Sequence, residues 1–199
     1  MIQVYHQKRN GVWYGAAVQN NQVLVTYFST EGPNMKYLNR GSHKETSFQV
    51  LEEPNQVLSK VLKVLENIFN GNSQETYRLK VDLKQRSNYT QKVLNCTRLV
   101  PVGYVTTYGS IAKVSGGIAR SVGRVEATNP VPLLIPCHRV VCSDLRLGGY
   151  GYGERVKIEI LHREERNYEK PRELKVYDGK LSLFPVKWVK QKNGELLRD

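Results

Sequence analysis

Apolar residues over the first thirty positions fall in short runs of β type. Val12-Trp-Tyr-Gly-Ala-Ala-Val18 and Val23-Leu-Val-Thr-Tyr-Phe28 are separated by Gln19-Asn-Asn-Gln22. Asparagine tolerates the left-handed backbone of a tight turn, so this spacing predicts a β-hairpin. Residues 29–48 mix Gly, Pro, Asn and Ser with scattered charge and predict an irregular connection. The period then changes. Val57, Leu58, Val61, Leu62, Leu65, Ile68 and Phe69 recur at helical spacing, with Lys60, Lys63, Glu66 and Asn67 opposite. This predicts a helix over 54–70 packed on the N-terminal sheet, with Pro54 in its first turn and Gly71 at its end. The polar run 70–76 predicts a surface loop, and a unit boundary is expected between it and about Ser87.

The second half reads differently. Three short helices are predicted, over 89–99, over 107–114 with Thr107 as N-cap, and over 118–128 after the break at Gly116-Gly117. Two short helices across a Gly-rich turn, the second carrying Arg120 and Arg124, suggest a helix-turn-helix. The stretch Asn129-Pro-Val-Pro-Leu-Leu-Ile-Pro-Cys-His-Arg-Val-Val-Cys142 follows. Pro130, Pro132 and Pro136 fix φ and remove donors, so it is neither a helix nor a central strand. Its apolar residues predict burial. Four glycines between Gly148 and Gly153 then form a loop whose backbone can approach a ligand closely, with Tyr150 and Tyr152 as a candidate wall for a base. A helix is predicted over 154–165, with Val156, Ile160 and Leu161 inward. Alternating runs around Asp178-Gly179 predict a hairpin over 174–184 at a sheet edge.

Charge narrows the classes of partner. The formal net charge is +12, and residues 81–164 carry twelve Lys/Arg against six Asp/Glu. Such a basic balance suggests a polyanion, most simply nucleic acid. Hydrophobic content of 40% supports a packed core. No run long enough to span a membrane and no leader segment is apparent, so a soluble intracellular protein is expected. Cys96, Cys137 and Cys142 form no Cys-x-x-Cys pair, which argues against a disulfide framework and a four-ligand zinc site and fits a reducing compartment. His6 and His43 lack metal-ligand spacing and read as solvated.

A rigid, buried, irregular backbone ending in Cys-His makes Cys137 a candidate nucleophile. His138 is adjacent, but neighbouring side chains in an extended segment point apart, so a water would have to bridge them. Glu164, if it reaches His138, would orient the imidazole and favour its charged form.

The combination Asn129-Pro-Val-Pro…Ile-Pro-Cys-His-Arg-Val resembles the active-site signature of the O6-alkylguanine-DNA alkyltransferases, or methylated-DNA–protein-cysteine methyltransferases. The resemblance extends over about residues 89 to 165. It implies an α+β protein. Residues 1–80 would form a small ribonuclease H-like sheet and helix, and 81–165 a mainly helical unit holding the helix-turn-helix and acceptor cysteine. Residues 166–199 are an extension outside the pattern. The implied activity is single-turnover, cofactor-free transfer of the alkyl group from O6-alkylguanine in double-stranded DNA to cysteine, with the damaged nucleotide flipped out. A cytoplasmic monomer is expected, nuclear in a eukaryote. No metal is expected, because the cysteines that hold structural zinc in some members are missing.

By the same resemblance, Cys137 is the acceptor, His138 its base acting through a water, and Glu164 the orienting carboxylate. Asn129 ties the recognition helix to the active-site loop. Tyr108 donates to the leaving guanine, and Arg120 fills the gap left by the flipped base. Thr90 and Ser143 contact phosphates, while the Val140 carbonyl and the Gly151 backbone read the guanine edge. Two residues depart from the pattern. Tyr152, at a position that varies between small and bulky, is expected to narrow the pocket. Glu126 replaces an apolar residue of the recognition helix and lies either near DNA or in the core. Two other functions stay open: a lesion-binding module that transfers poorly, and a cysteine hydrolase, although His6, His43 and His162 lack a hydrolase-like context.

Overall fold

The computed structural model describes residues 1–33, 47–72 and 79–194. The expectations for His43 and for most of the two loops around 29–48 and 70–76 fall outside these. Strands β1 (Ile2–Arg9), β2 (Val12–Gln19), β3 (Gln22–Ser29) and β4 (Phe48–Val50) form a sheet of order β3-β2-β1-β4. The hairpin expected around Asn20-Asn21 is β2–β3, and both asparagines adopt positive φ. His6, expected to be solvated, is half-buried: its ring meets Trp13 edge-on, and Nδ1 is buried.

Helix α1 (Gln56–Phe69) lays Leu58, Val61, Leu62, Leu65 and Ile68 on the sheet. Its start differs from expectation, because the Asn55 side chain accepts from Leu58 N–H and leaves Pro54 outside the first turn. Gly71, at φ 77°, follows the last turn.

Helices α2 (Asn88–Arg98), α3 (Tyr108–Ser115) and α4 (Ala119–Ala127) are close to the predicted three, and Thr107 caps α3 as expected. Strand β5 (Tyr104–Thr107) was not anticipated between α2 and α3. It organises a second sheet of order β6-β5-β8-β7, from β6 (Val140–Val141), β7 (Arg172–Val176) and β8 (Gly179–Pro185). Helix α5 (Glu154–Arg163) precedes the extension and α6 (Val186–Lys192) lies within it.

The extension is therefore more than an edge hairpin. β8 lies between β5 and β7, while Val186 and Val189 join Val105, Val141, Ile158 and Leu161 in one apolar cluster. The hairpin turn is Tyr177-Asp178 rather than Asp178-Gly179, with Val176 paired to Gly179 and Tyr177 at φ 52°.

The first sheet positions the proline-rich segment. Thr26 of β3 donates its backbone N–H to Pro130 O at 3.0 Å and its hydroxyl to Pro132 O at 2.8 Å. Leu133 is held at φ 69°, a conformation that costs a branched residue about 1–3 kcal/mol and persists only where its surroundings enforce it. Leu133, Leu134 and Ile135 are fully buried, and their burial offsets that cost.

Candidate active site

Cys137 opens a single 3-10 turn, Cys137–Arg139, between the proline-rich segment and β6. The turn replaces the extended geometry expected there. Asn129, just beyond α4, donates from Nδ2 to Ile135 O at 2.8 Å and to Cys137 Sγ at 3.2 Å, while its Oδ1 accepts from Val131 N–H. One side chain thus ties the end of α4 to the loop and to the sulfur.

On the other side of the turn, His138 Nε2 lies 3.0 Å from Glu164 Oε1. Glu164 caps α5 and is fully buried, so the chain brings these expected partners together. Arg139 joins them, with Nε to Glu164 Oε2 at 2.8 Å, Nη2 to Oε1 at 2.7 Å and Nη1 to Val100 O at 2.6 Å. Burial alone would raise the Glu164 carboxyl, but the Arg139 guanidinium and then His138 hold it down at about 2. His138 moves opposite to expectation. Its burial lowers the imidazole pKa by more than Glu164 raises it, so the ring is neutral. An ionised Glu164 can only accept, so Nε2 carries the ring proton and Nδ1, which has no partner among the described residues, keeps the free lone pair.

Cys137 lies in the floor of a cavity of about 680 Å³ between α4 and the Gly-rich loop, whose lining includes Tyr108, Arg120, Glu126, Cys142 and Gly151. Burial pushes the thiol up to about 12, with Glu126 adding to the effect and the Asn129 hydrogen bond opposing it. The Tyr108 phenol is also raised by burial, so it is a protonated donor. Gly148 closes over Tyr108 at φ 65°, and a Cβ there would stand 3.1 Å from the Tyr108 ring and from Cys142 Sγ.

The segment 88–166 matches the family model of the 6-O-methylguanine DNA methyltransferase DNA-binding domain. A methylated-DNA–protein-cysteine methyltransferase of Methanocaldococcus vulcanius is 36% identical over 124 residues, 59% of this chain and 73% of that protein. The chain belongs to this family. The Methanocaldococcus jannaschii member is 42% identical over 102 residues, 51% of this chain and 58% of that protein. The solved O6-methylguanine-DNA methyltransferase of Pyrococcus kodakaraensis superposes with a TM-score of 0.63 at 26% identity, over 82% of this chain and 99% of that one. The protein is accordingly a DNA-repair methyltransferase of mixed α+β architecture.

Within the methyltransferase site, the remaining expected residues divide into two groups. Tyr108, Arg120 and Gly151 line the cavity with Cys137. Thr90 is half-buried beside Ser87 on the first turn of α2, and Ser143 is exposed beyond β6. Val140 is fully buried, and its carbonyl already accepts from Lys157 Nζ at 2.7 Å. Tyr152 is not among the residues that line the cavity; its ring stacks on Phe28 of β3, centroids 4.0 Å apart. Glu126 lies in the core, with Oε1 accepting from Thr97 Oγ1 at 2.5 Å.

Two buried cations were not singled out. Arg139 lies inside the quoted motif. Lys157 Nζ donates to Val140 O and Leu147 O, at 2.7 and 2.6 Å, joining β6 to the start of the Gly-rich loop. Lys157, Ile160, Leu161 and Glu164 fall on one helical face, which is the signal that marks it. Among the described residues, no three His, Cys, Asp or Glu side chains group to hold a metal ion, and no helix is long and apolar enough to cross a membrane.

Proposed function

We propose that Cys137 accepts the alkyl group from O6-alkylguanine in double-stranded DNA, once and irreversibly, after the damaged nucleotide flips into the cavity. The observation that carries this is the Asn129–Sγ contact, which fixes the thiol in the floor of a cavity walled by the second helix of the helix-turn-helix. His138 Nδ1 takes the thiol proton through a water, with Glu164 fixing the ring and Arg139 fixing Glu164. The sulfur then bonds to the alkyl carbon as the carbon–O6 bond breaks. The electron pair returns to guanine, Tyr108 offers its hydroxyl proton to the leaving base, and the proton held on His138 passes back through water to the Tyr108 oxygen. The net change moves one proton from sulfur to guanine and one alkyl group the other way, so no cofactor is consumed.

Arg120 enters the space left by the flipped base, Thr90 and Ser143 contact phosphates, and the Gly151 backbone meets the base edge. The Val140 carbonyl contributes through its second lone pair. Residues 1–80 act as a scaffold for the proline-rich segment, 81–165 carry DNA contact and acceptor, and 166–199 buttress β5. The protein acts as a cytoplasmic monomer, nuclear in a eukaryote.

The test is nucleoside chromatography of a duplex carrying one O6-methylguanine after incubation with the protein. Guanine should replace the lesion one for one with protein. Cys137→Ser should bind the duplex and convert none of it. Tight binding by the unmodified protein with the lesion left intact would instead make it a lesion binder.

A further inference from the structure

The mechanism above makes no use of Glu126. This residue is 8% exposed, and it lines the cavity together with Cys137, Tyr108 and Cys142. Oε1 accepts from Thr97, whereas Oε2 is buried with no hydrogen-bond partner among the described residues. Nothing about α4 packing requires a carboxylate there, since Val122 and Val125 bury the same side of the helix. A buried carboxylate lacking half its hydrogen bonds is costly, and such groups persist where a site uses them.

The groups facing it come from four elements. Helix α2 contributes Cys96 and Thr97, α3 contributes Tyr108, the 3-10 turn contributes Cys137, and α5 contributes Lys157. On α4 itself, Arg120 and Arg124 line the cavity from exposed positions. Lys157 is the buried cation of the set, and its Nζ is directed at two carbonyl oxygens rather than at Glu126. Glu126 therefore shares the cavity with the thiol without an ion-pair partner among the described residues.

Building on Cys137 as the acceptor, we propose that Glu126 is an electrostatic brake on that thiol: the carboxylate keeps sulfur protonated, and the neutral acid releases it. Two anions in one poorly solvated cavity repel each other strongly. Burial raises Glu126 to about 7, against the pull of Thr97 and Lys157, so the brake engages near neutrality. Glu126 in turn is second only to burial in pushing Cys137 up to about 12. Between those values the pair retains a single proton, and the form with a neutral carboxyl and a thiolate stops growing with pH. A base entering the cavity strips water from Glu126 and favours its neutral form, so substrate entry itself lifts the brake.

The test reads the thiol directly in the DNA-free protein. Cys137 carboxamidomethylation by iodoacetamide is followed by peptide mass spectrometry between about pH 6 and 9. In the wild type the rate should rise about tenfold per pH unit up to about pH 7 and less steeply just above it. In Glu126→Gln it should keep rising about tenfold per pH unit, matching the wild type near pH 6 and exceeding it several-fold near pH 8. Thr97→Val retains the carboxyl but removes the hydrogen bond that favours its charged form, so the bend should move to higher pH. This second variant keeps the proposal testable if Glu126→Gln does not fold. Identical profiles in all three proteins would overturn the proposal. So would slower reaction of Glu126→Gln, which would make Glu126 a base that takes the thiol proton. Methyl transfer by the wild type is scored separately, so its absence would overturn the acceptor assignment and leave the thiol profile to judge the brake.

Discussion

Two buried carboxylates serve the Cys137–Arg139 turn, Glu126 from the cavity that holds the thiol and Glu164 from behind His138 and Arg139, and the protein drives them in opposite directions. Glu164 is held at about 2 and Glu126 is raised to about 7. Burial pushes both upward, so partners account for the difference. Glu164 receives a two-pronged guanidinium and an imidazole N–H, whereas Glu126 receives one hydroxyl. The first arrangement makes a fixed anion that orients His138. The second makes a group that can change its charge at neutral pH. A buried acid is a rigid element or a switch according to the donors aimed at it.

Breaking the Glu164 side should have the largest effect. Glu164→Gln leaves Arg139 buried without its counter-charge, and loss of one member of a buried pair costs about 3–5 kcal/mol. Denaturant unfolding near neutral pH should show that loss. The gap between wild type and variant should close in acid, because the low folded pKa of Glu164 adds stability above its ordinary value of 4.5 that is lost as pH falls towards about 2.

Glu126→Gln should act in the opposite sense. The raised folded pKa of Glu126 means that its stability contribution is present below 4.5 and is lost as pH rises through about 7. The variant should match the wild type near pH 4.5 and exceed it above pH 7, by on the order of 2–3 kcal/mol, in paired melting curves. Arg139→Lys tests whether the planar fork matters beyond its charge. It keeps the cation but cannot make both prongs and the Val100 contact, and roughly 1.5–3 kcal/mol should be lost in chemical unfolding. The smallest effect is expected of Thr97→Val, about 1 kcal/mol of destabilisation, seen above pH 7 where the carboxylate would lose its remaining donor.

The reach of the sequence differed between these two sides. Cys137 and His138 stood out because prolines and apolar residues crowd one short stretch, whereas the role expected of Asn129 came from the resemblance alone and the nearness of Glu164 to His138 depended on the fold. The charge state of His138 was not legible. It depends on full burial and on Arg139 sharing the same carboxylate, both of which are tertiary facts. Lys157 sits between Val156 and Ile158 and looks like a solvated helix position until its face is read together with Glu164. Whether Glu126 faced DNA or the core depended on how α4 packs on α2. In the fold, the first hairpin and α1 were visible from their periods. β5 was hidden because four residues between a Pro/Gly stop and a helix cap carry too little pattern. The second hairpin turn was misplaced by one residue because Tyr177, rather than Gly179, takes the left-handed conformation. Nor could local alternation show that β8 is an interior strand, since that depends on β5 pairing from far upstream.

The most direct measurement is peptide mass spectrometry of the protein after reaction with excess duplex carrying O6-methylguanine. One methyl group per chain, confined to the peptide containing Cys137 and absent in Cys137→Ser, is the predicted result. A methyl group on Cys142 or Cys96, or continued conversion of lesion beyond one per chain, would contradict the assignment of Cys137 as a single-use acceptor.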